Sequence, residues 1–245
     1  MVLPAGKKLR LVGVLVGSDP DSQKFLELKK KAAEKVGIAF RLYEFPETIT
    51  TQELRRKVGE LAKAGVNDGV LVELPLPKHI NTQYILNAIP ENKDVDVLSQ
   101  KSQGAFFANR SALLPPSVEA VKAIFEKHQI NPKGKDCAVF GYGRLVGKPV
   151  SHWLAAQGAT VSIINEFTNN PGELSRLVDI IIGGVGKPNL ITAEMVKAGA
   201  IVIDFGGDVD FAAVQTKAAL ITPPAGGVGP IVIAAVLKNL VELQK

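Results

Sequence analysis

The sequence lacks the features that mark several specialised classes of protein. Its 245 residues contain a single cysteine, Cys137, so an internal disulfide is excluded and a reducing compartment is expected. No apolar run is long enough for a membrane-spanning helix, and no basic-then-apolar secretory segment opens the chain. We therefore expect a cytoplasmic protein that has no membrane partner.

Aromatic residues and blocks of like charge are also scarce. Only 6% of the residues are aromatic, and the net charge of +5 comes from lysines that alternate with glutamates along predicted helices. Proteins that bind nucleic acid usually concentrate their basic residues in one patch or stripe. We therefore predict no nucleic-acid partner and interpret the excess charge as a solvated face that an anionic ligand could also use.

What the sequence does contain is a regular alternation of strands and helices. The predicted strands cover residues 9–16, 39–45, 69–74, 137–140, 159–165, 178–183, 200–205 and 218–221. The predicted helices cover residues 22–35, 51–64, 81–88, 117–129, 149–156, 192–198 and 231–243. Such alternation is typical of α/β proteins, and it predicts a parallel sheet in each half of the chain.

A glycine-rich stretch, G-Y-G-R-L-V-G at residues 141–147, joins a buried strand to a helix. Free N–H groups and the helix dipole make such a junction an anion site. The next strand ends at Glu166, where a carboxylate can accept hydrogen bonds from an adenosine ribose. The context predicts a dinucleotide site, although the glycine spacing is one residue longer than usual. A tight turn with a surface glutamate is the alternative.

The first predicted helix carries a lysine within its apolar face. At about 100° per residue, Lys29 falls in the same arc as Ser22, Phe25, Leu28, Ala32 and Val36. A lysine in a buried stripe must either extend its amine to solvent or meet a partner in a cleft, and the helix alone does not distinguish these.

Three acidic residues also lie at positions of interest. Glu73 interrupts the apolar strand at residues 69–74 near its C-terminal end, where open α/β sheets bind ligands. Asp94 and Asp96 are two residues apart, but no third carboxylate or histidine follows at ligand spacing, so no metal site is expected.

Five motifs in a fixed order are similar to those of one family. Residues 22–29 (S-Q-K-F-L-E-L-K) are similar to S-x-x-Y-x-x-x-K, residues 72–77 (V-E-L-P-L-P) to V-Q-L-P-L-P, and residues 93–97 (K-D-V-D-V) to K-D-V-D-G. The glycine stretch is similar to G-R-S-x-x-V-G-x-P, and residues 222–230 (T-P-P-A-G-G-V-G-P) to T-P-V-P-G-G-V-G-P. Along nearly its whole length the chain resembles the methylenetetrahydrofolate dehydrogenase/cyclohydrolase family.

The resemblance implies a homodimer of two-domain α/β chains. An α/β substrate domain at residues 1–116 would be rejoined by the C-terminal helix at 225–245, and residues 117–224 would form a Rossmann-like, parallel-sheet dinucleotide-binding domain. A tetrahydrofolate derivative would lie in the cleft between the domains. Hydride would pass from 5,10-methylenetetrahydrofolate to a nicotinamide cofactor, and the methenyl product could then be hydrolysed to 10-formyltetrahydrofolate.

The resemblance also implies roles for individual residues. Lys29 would handle the one-carbon bridge, Asp96 would hydrogen-bond the pterin, and Glu73 would be the third catalytic position. The implied substrate contacts are Phe25, Leu74, Pro75, Gly226, Gly227 and Pro230. The implied cofactor contacts are Gly141, Tyr142, Gly143, Arg144, Leu145, Glu166, Gly184 and Gly186. No metal is implied.

Two departures from the family pattern affect the catalytic positions. Phe25 replaces a tyrosine and keeps a stacking ring without its hydroxyl. Glu73 replaces a glutamine, and an ionised carboxylate beside Lys29 would hold the proton on the amine. We therefore expect a dehydrogenase with little or no cyclohydrolase activity. A protonated Glu73, which would mimic the amide, is the competing interpretation.

Further departures surround the cofactor positions. Tyr142 and Gly143 replace an arginine and a serine, and Asn165–Glu166 replaces histidine–serine; residues 115–120 lack a cysteine and a threonine of the family. A carboxylate at Glu166 would oppose the 2′-phosphate of NADP, so NAD is favoured, although Arg144 leaves NADP open.

Three other functions remain open from the sequence. The chain could be a catalytically weakened folate- or dinucleotide-binding homologue, or a full bifunctional enzyme. It could also be a dehydrogenase of another small substrate, since a fold does not fix one chemistry.

Overall fold

The computed structural model describes residues 8–245, and the chain divides into two compact units. The first holds the chain up to Pro116 together with Ile233–Lys245, and the second holds Ser117–Val232. The first seven residues of the domain predicted at 1–116 lie outside the described residues. Residues 225–232, which the sequence grouped with that domain, belong to the second unit.

The first unit is built on a three-stranded parallel sheet in the order β2-β1-β3. Its strands are β1 (Arg10–Val16), β2 (Ala39–Phe45) and β3 (Gly69–Val72). Its helices are α1 (Pro20–Lys35), α2 (Thr51–Lys63), α3 (Thr82–Leu86) and α4 (Gln100–Phe107). Successive side chains of a strand point to opposite faces. Leu11 and Leu15 of β1 accordingly pack in one apolar cluster, while Val12 and Val14 pack in another.

The second unit is built on a five-stranded parallel sheet in the order β5-β4-β6-β7-β8. Its strands are β4 (Asp136–Phe140), β5 (Thr160–Ile164), β6 (Ile180–Gly183), β7 (Ile201–Asp204) and β8 (Leu220–Ile221). Its helices are α5 (Pro116–Lys127), α6 (Gly147–Ala156), α7 (Pro171–Ser175) and α8 (Phe211–Val214), and the division between the units falls within α9 (Val228–Glu242). The chain order reverses between β4 and β6, and such a switch point is where open parallel sheets bind ligands.

One predicted helix is wrong, and three short helices were missed. Residues 192–198 form only a 3-10 turn at Ala193–Met195, because buried Ile191 pairs with Val209 and Gly199 reverses the chain at φ +79°. The missed helices are α4, α7 and α8. Ser99 and Asp210 cap the first and last of these, but all three are too short for an apolar periodicity to be visible.

The sheet strands are shorter than predicted at several ends. The strand expected at 69–74 ends at Val72, and the Glu73 N–H still donates to the Val14 carbonyl at 2.9 Å. Pro75 follows and cannot continue the ladder because it lacks an N–H. Glu73 therefore lies just beyond the carboxyl end of β3. Among residues 8–245, no helix has the length and apolar character needed to cross a bilayer.

Candidate functional site

Lys29 and Glu73, which are distant in sequence, meet in the first unit. The Lys29 ammonium donates from Nζ to Glu73 Oε2 at 2.6 Å, and the two side chains are only 14% and 8% exposed. Helix α1 brings Lys29 over the carboxyl end of β3, where Glu73 begins the following loop. The alternative of a lysine that extends into solvent is wrong for this residue.

Helix α1 buries a narrower stripe than the sequence predicted. Ser22, Leu26 and Ala33 are buried, and Lys29 lies on the same line along the helix. Phe25, Leu28 and Val36 are exposed, so their predicted burial is wrong. They are rotated by roughly 50–130° from that stripe, and a helix on one face of a sheet buries mainly the residues that point at the sheet.

Asp94 and Asp96 occupy different environments although they are two residues apart. The Asp94 carboxylate is buried and accepts the N–H groups of Leu98 and Ser99 at 3.2 and 2.8 Å, so it holds the local turn. Asp96 is partly buried, and burial raises the pKa of its carboxyl from 3.8 to about 6. The Lys29 ammonium opposes this rise in pKa, and the negative charge of Glu73 adds to it. Asp96 thus shares the electrostatic environment of the Lys29–Glu73 pair.

The other substrate contacts predicted in the first unit are close in sequence to Lys29 or Glu73. Phe25 is 49% exposed and lies one helical turn before Lys29. Leu74 is half-buried and Pro75 is exposed, directly after Glu73. The first unit therefore presents an exposed aromatic ring, a buried ion pair and a carboxyl group of raised pKa.

In the second unit, the glycine turn at 141–147 lies at the carboxyl end of β4. Gly141 adopts φ +85°, and a Cβ at Gly147 would lie 2.2 Å from the Gly141 carbonyl oxygen, so a side chain cannot be accommodated there. Val146 offers no side-chain cap to helix α6. The Lys148 N–H already donates to the Gly143 carbonyl and the Val150 N–H to the Val146 carbonyl, each at 3.0 Å, and Pro149 has no N–H. An anion at this end of α6 would therefore meet the Gly147 N–H and the positive end of the helix dipole.

The loop after β6 lies against this turn. A Cβ at Gly141 would contact Val185 Cγ2 at 3.1 Å, and one at Gly184 would clash with Val146 at 2.6 Å. Gly186 adopts φ +79° with open space where its Cβ would be. The predicted contacts Gly141 and Gly184 are therefore brought together at the switch point of the sheet, and Gly186 follows in the same loop, next to Gly206.

The side chains around the turn include one unsatisfied cation. Arg144 is partly buried, and its Nη1 lies buried without a hydrogen-bond partner within residues 8–245. Tyr142 and Leu145 are exposed, Lys148 Nζ lies 5.4 Å from the Tyr142 ring centroid, and Gly143 is open. A guanidinium with one buried nitrogen left unsatisfied, beside a glycine turn and a helix N-terminus, fits the phosphates of a dinucleotide.

The remaining predicted residues of the second unit are spread along its surface. Glu166 is exposed two residues past the end of β5. Gly226 adopts φ +73°, a Cβ at Gly227 would lie 2.1 Å from the Pro223 carbonyl oxygen, and Pro230 is exposed near the start of α9.

Sequence reasoning missed two buried aspartates, Asp204 and Asp208. The Asp208 carboxylate accepts the N–H groups of Val185 and Lys187, and Asp204 accepts those of Gly206, Asp208 and Val209. The sequence does carry one signal for this pair: Asp204 lies at the carboxyl end of an apolar strand, where open parallel sheets bind ligands, and two glycines follow it.

Comparisons with known proteins agree with the motifs. The family model for the catalytic domain of tetrahydrofolate dehydrogenase/cyclohydrolase matches residues 2–96, and the model for its NAD(P)-binding domain matches residues 115–245. The bifunctional protein FolD of Nautilia profundicola is 43% identical over 245 residues, which cover 96% of this chain and 86% of that protein.

Solved structures give the same result. The bifunctional FolD methylenetetrahydrofolate dehydrogenase/cyclohydrolase of Campylobacter jejuni is 36% identical with a TM-score of 0.92, covering 97% of this chain and 88% of that one. The Trypanosoma brucei FolD enzyme, solved with NADP and an inhibitor, is 31% identical with a TM-score of 0.92 and covers 97% of this chain and 87% of that one.

Proposed function

Since the chain belongs to the tetrahydrofolate dehydrogenase/cyclohydrolase family, we propose that it oxidises 5,10-methylenetetrahydrofolate with NAD and has little or no cyclohydrolase activity. The chain is an NAD(P)-dependent dehydrogenase of this family. The choice of NAD and the loss of hydrolysis are the finer points of the proposal. The observation that carries the loss of hydrolysis is the buried ion pair between Lys29 and Glu73.

The first unit can hold a folate through three of its side chains. The exposed ring of Phe25 offers a face for the aminobenzoate ring, since aromatic rings stack in offset geometry. Asp96 supplies a carboxyl group for the amino-substituted pterin ring. The Lys29 ammonium is held in place by its hydrogen bond to Glu73, with Nζ 2.6 Å from Oε2. These contacts orient the substrate, and hydride transfer depends mainly on orientation.

Hydrolysis makes a further demand on Lys29. A base must take a proton from the water that attacks the methenyl carbon, and an ammonium ion cannot do so until it loses its own proton. The Glu73 carboxylate stabilises the ammonium form, and the pair is removed from most of the screening by water. We therefore propose that Lys29 positions the substrate for oxidation and serves hydrolysis poorly.

The competing arrangement has a proton on Glu73, which then mimics the amide of the family glutamine. In that arrangement the Lys29 amine would remain free to exchange its proton, and hydrolysis would be retained. Replacing the carboxyl group by an amide would then change hydrolysis little. The two arrangements therefore give opposite results for Glu73→Gln.

The test follows the absorbance of methenyltetrahydrofolate with the purified full chain. We expect decay close to the uncatalysed rate with the parent, while oxidation of methylenetetrahydrofolate with NAD proceeds. Glu73→Gln should raise the enzyme-accelerated decay at least tenfold, equivalent to about 1.4 kcal/mol in the barrier. Parent decay comparable to the oxidation rate would overturn the proposal.

Glu27→Gln is the matched control. It removes the same group from an exposed lysine–carboxylate pair on helix α1, where Lys31 Nζ lies 3.6 Å from Glu27 Oε1. Exposed pairs of this kind contribute little because water screens them. The control should leave both activities at parent values, so that a gain confined to Glu73→Gln identifies the buried pair.

The second unit supports the choice of cofactor. Arg144, Gly141 and Gly147 fit the pyrophosphate, and a bound nicotinamide supplies the hydride acceptor. The glycine at 143 and the tyrosine at 142 offer no cation to a 2′-phosphate, and Glu166 places a negative charge at the end of β5. These residues favour the ribose hydroxyls of NAD over the phosphate of NADP.

We also propose a homodimer formed through the second unit. Its edge strand β5 and the following segment expose four large apolar side chains: Ile163, Phe167, Leu174 and Leu177. An exposed apolar surface beside an unpaired strand edge is typical of a protein interface. The single cysteine is buried in β4 and suits a reducing compartment, so we place the enzyme in the cytoplasm.

A further inference from the structure

Asp208 is a fully buried carboxylate that no step of the proposed reaction uses. It lies in the segment after β7, and its carboxylate reaches across to the loop that follows β6. Oδ2 accepts the Val185 N–H at 2.7 Å, and Oδ1 accepts the Lys187 N–H at 2.7 Å. A buried charge is costly unless such groups satisfy it, so the two bonds hold the loop firmly.

The contacts place Gly186 between the two N–H groups that Asp208 holds. Gly186 adopts φ +79°, and nothing lies within 4 Å of where its Cβ would be. The side chains of the loop are exposed at Val185 and Lys187, whereas its backbone is fixed from beneath. The loop thus presents bare backbone in one defined conformation.

Asp204 supports Asp208 from the end of β7. Its carboxylate accepts the N–H of Asp208 at 3.0 Å and that of Gly206 at 3.1 Å. A Cβ at Gly206 would lie 2.9 Å from the Gly186 nitrogen, so this second loop supports the first directly. Gly183 is equally constrained, since its Cβ would lie 3.3 Å from both carboxylates.

We propose that Asp208 is a positioning residue for the dinucleotide: it sets the 185–187 backbone against the Gly141 turn in the conformation that receives the cofactor. The inference rests on the proposed cofactor role of Gly184 and Gly186. Val185 Cγ2 lies 3.1 Å from the Cβ position of Gly141, so displacement of the loop also disturbs that turn. The effect should fall on dinucleotide affinity and not on folate.

The test measures NADH binding by fluorescence titration of the full chain without folate. In Asp208→Asn, the side-chain amide can accept only one of the two backbone N–H groups and turns its own N–H₂ towards the other. We expect the Kd for NADH to rise about tenfold, while the KM for methylenetetrahydrofolate stays within about twofold of the parent. A folded variant that binds NADH as tightly as the parent would overturn the inference.

Asp179→Asn is the matched control. Asp179 is a carboxylate of the same unit that accepts the Asp136 N–H at 3.2 Å and pairs with Lys197, away from the 185–187 loop. It should bind NADH as the parent does. A merely structural role for Asp208 would lower the thermal stability of Asp208→Asn and leave its Kd for NADH unchanged, which would contradict the inference.

Gly206→Ala provides a second route if Asp208→Asn does not fold. The added methyl group would push on Gly186 at 2.9 Å while the carboxylate remains, and NADH affinity should again fall. In the parent, the Val185 and Lys187 amides should exchange slowly with deuterium despite their exposed side chains, and fast exchange would contradict the proposed anchoring. Failure of the parent to oxidise methylenetetrahydrofolate would instead contradict the proposed function.

Discussion

At the scale of the residue, the position of Lys29 on its helix determines which group its amine contacts. It lies on the stripe of α1 that Ser22, Leu26 and Ala33 bury, so its amine must find a partner inside the unit. Glu73 supplies that partner at the end of β3. Removing one member of such a pair leaves a buried charge, which is strongly destabilising, whereas the neutral amide of Glu73→Gln can still accept the Lys29 bond. That is why glutamine is the informative substitution.

Asp96 gives a prediction about stability and pH. Its folded-state pKa of about 6 lies above the ordinary value of 3.8, so the folded chain holds a proton that the unfolded chain has lost between these values. The contribution of this group to stability is full below pH 3.8 and is lost as the pH rises through 6. The loss is at most about 3 kcal/mol.

Asp96→Asn cannot lose that contribution because its amide does not ionise. Measured by thermal unfolding, the Tm of the variant should rise relative to the parent by several degrees between pH 4 and pH 7.5. Glu47→Gln, which removes an exposed carboxylate from the same unit, should follow the parent over that range. A Tm difference for Asp96→Asn that does not change with pH would refute the assignment.

At the scale of elements, the residues that we propose to bind the cofactor lie at the carboxyl ends of three neighbouring strands of the second unit. The turn after β4 and the loop after β6 meet at the switch point, where a Cβ at Gly141 would touch Val185. Strand β5 lies on the other side of β4 and ends near Glu166. The elements that we propose for the phosphates and the residue that we propose for the choice between NAD and NADP therefore lie at different strand ends.

Glu166→Ser is predicted to narrow the preference for NAD. It removes the carboxylate that we propose to repel a 2′-phosphate and leaves a hydroxyl that can donate to one. The ratio of kcat/KM with NAD to kcat/KM with NADP should fall at least tenfold, mostly through KM for NADP. Glu173→Ser, in the first turn of α7, makes the same change of charge elsewhere in the unit and should leave the ratio unaltered. A parent enzyme that already prefers NADP would refute the proposal.

At the scale of the molecule, the exposed apolar side chains of the second unit predict self-association. Phe167 is 83% exposed and Leu177 is 70% exposed, and Ile163 and Leu174 of the same segment are exposed as well. Light scattering of the parent should give twice the mass of 26.1 kDa, and Leu177→Asp should shift it towards the monomer. Val66→Asp, at a 65% exposed apolar residue of the first unit, is the control and should remain dimeric. A monomeric parent would refute the proposed dimer.

The sequence alone determined the α/β class, the parallel sheets and the order of the motifs. These follow from local signals: apolar runs of strand length, helix caps, and glycines where the backbone turns at positive φ. The strand predicted at 137–140 and the glycine turn after it are both observed, since Gly141 adopts φ +85° and Gly147 leaves no room for a side chain. The helix predicted at 192–198 was wrong because the pairing of Ile191 with Val209, which is distant in sequence, overrides local helix propensity.

Only the tertiary structure decided which groups meet. Periodicity placed Lys29 on an apolar face but could not name its partner, since Glu73 is 44 residues away. The burial that raises the pKa of Asp96, and that separates it from the turn-forming Asp94, depends on everything packed around both residues. The anchoring of Val185 and Lys187 by Asp208 had no local signal either. Such contacts arise because parallel strands bring their carboxyl ends to one edge of a sheet, whatever the distance along the chain between them.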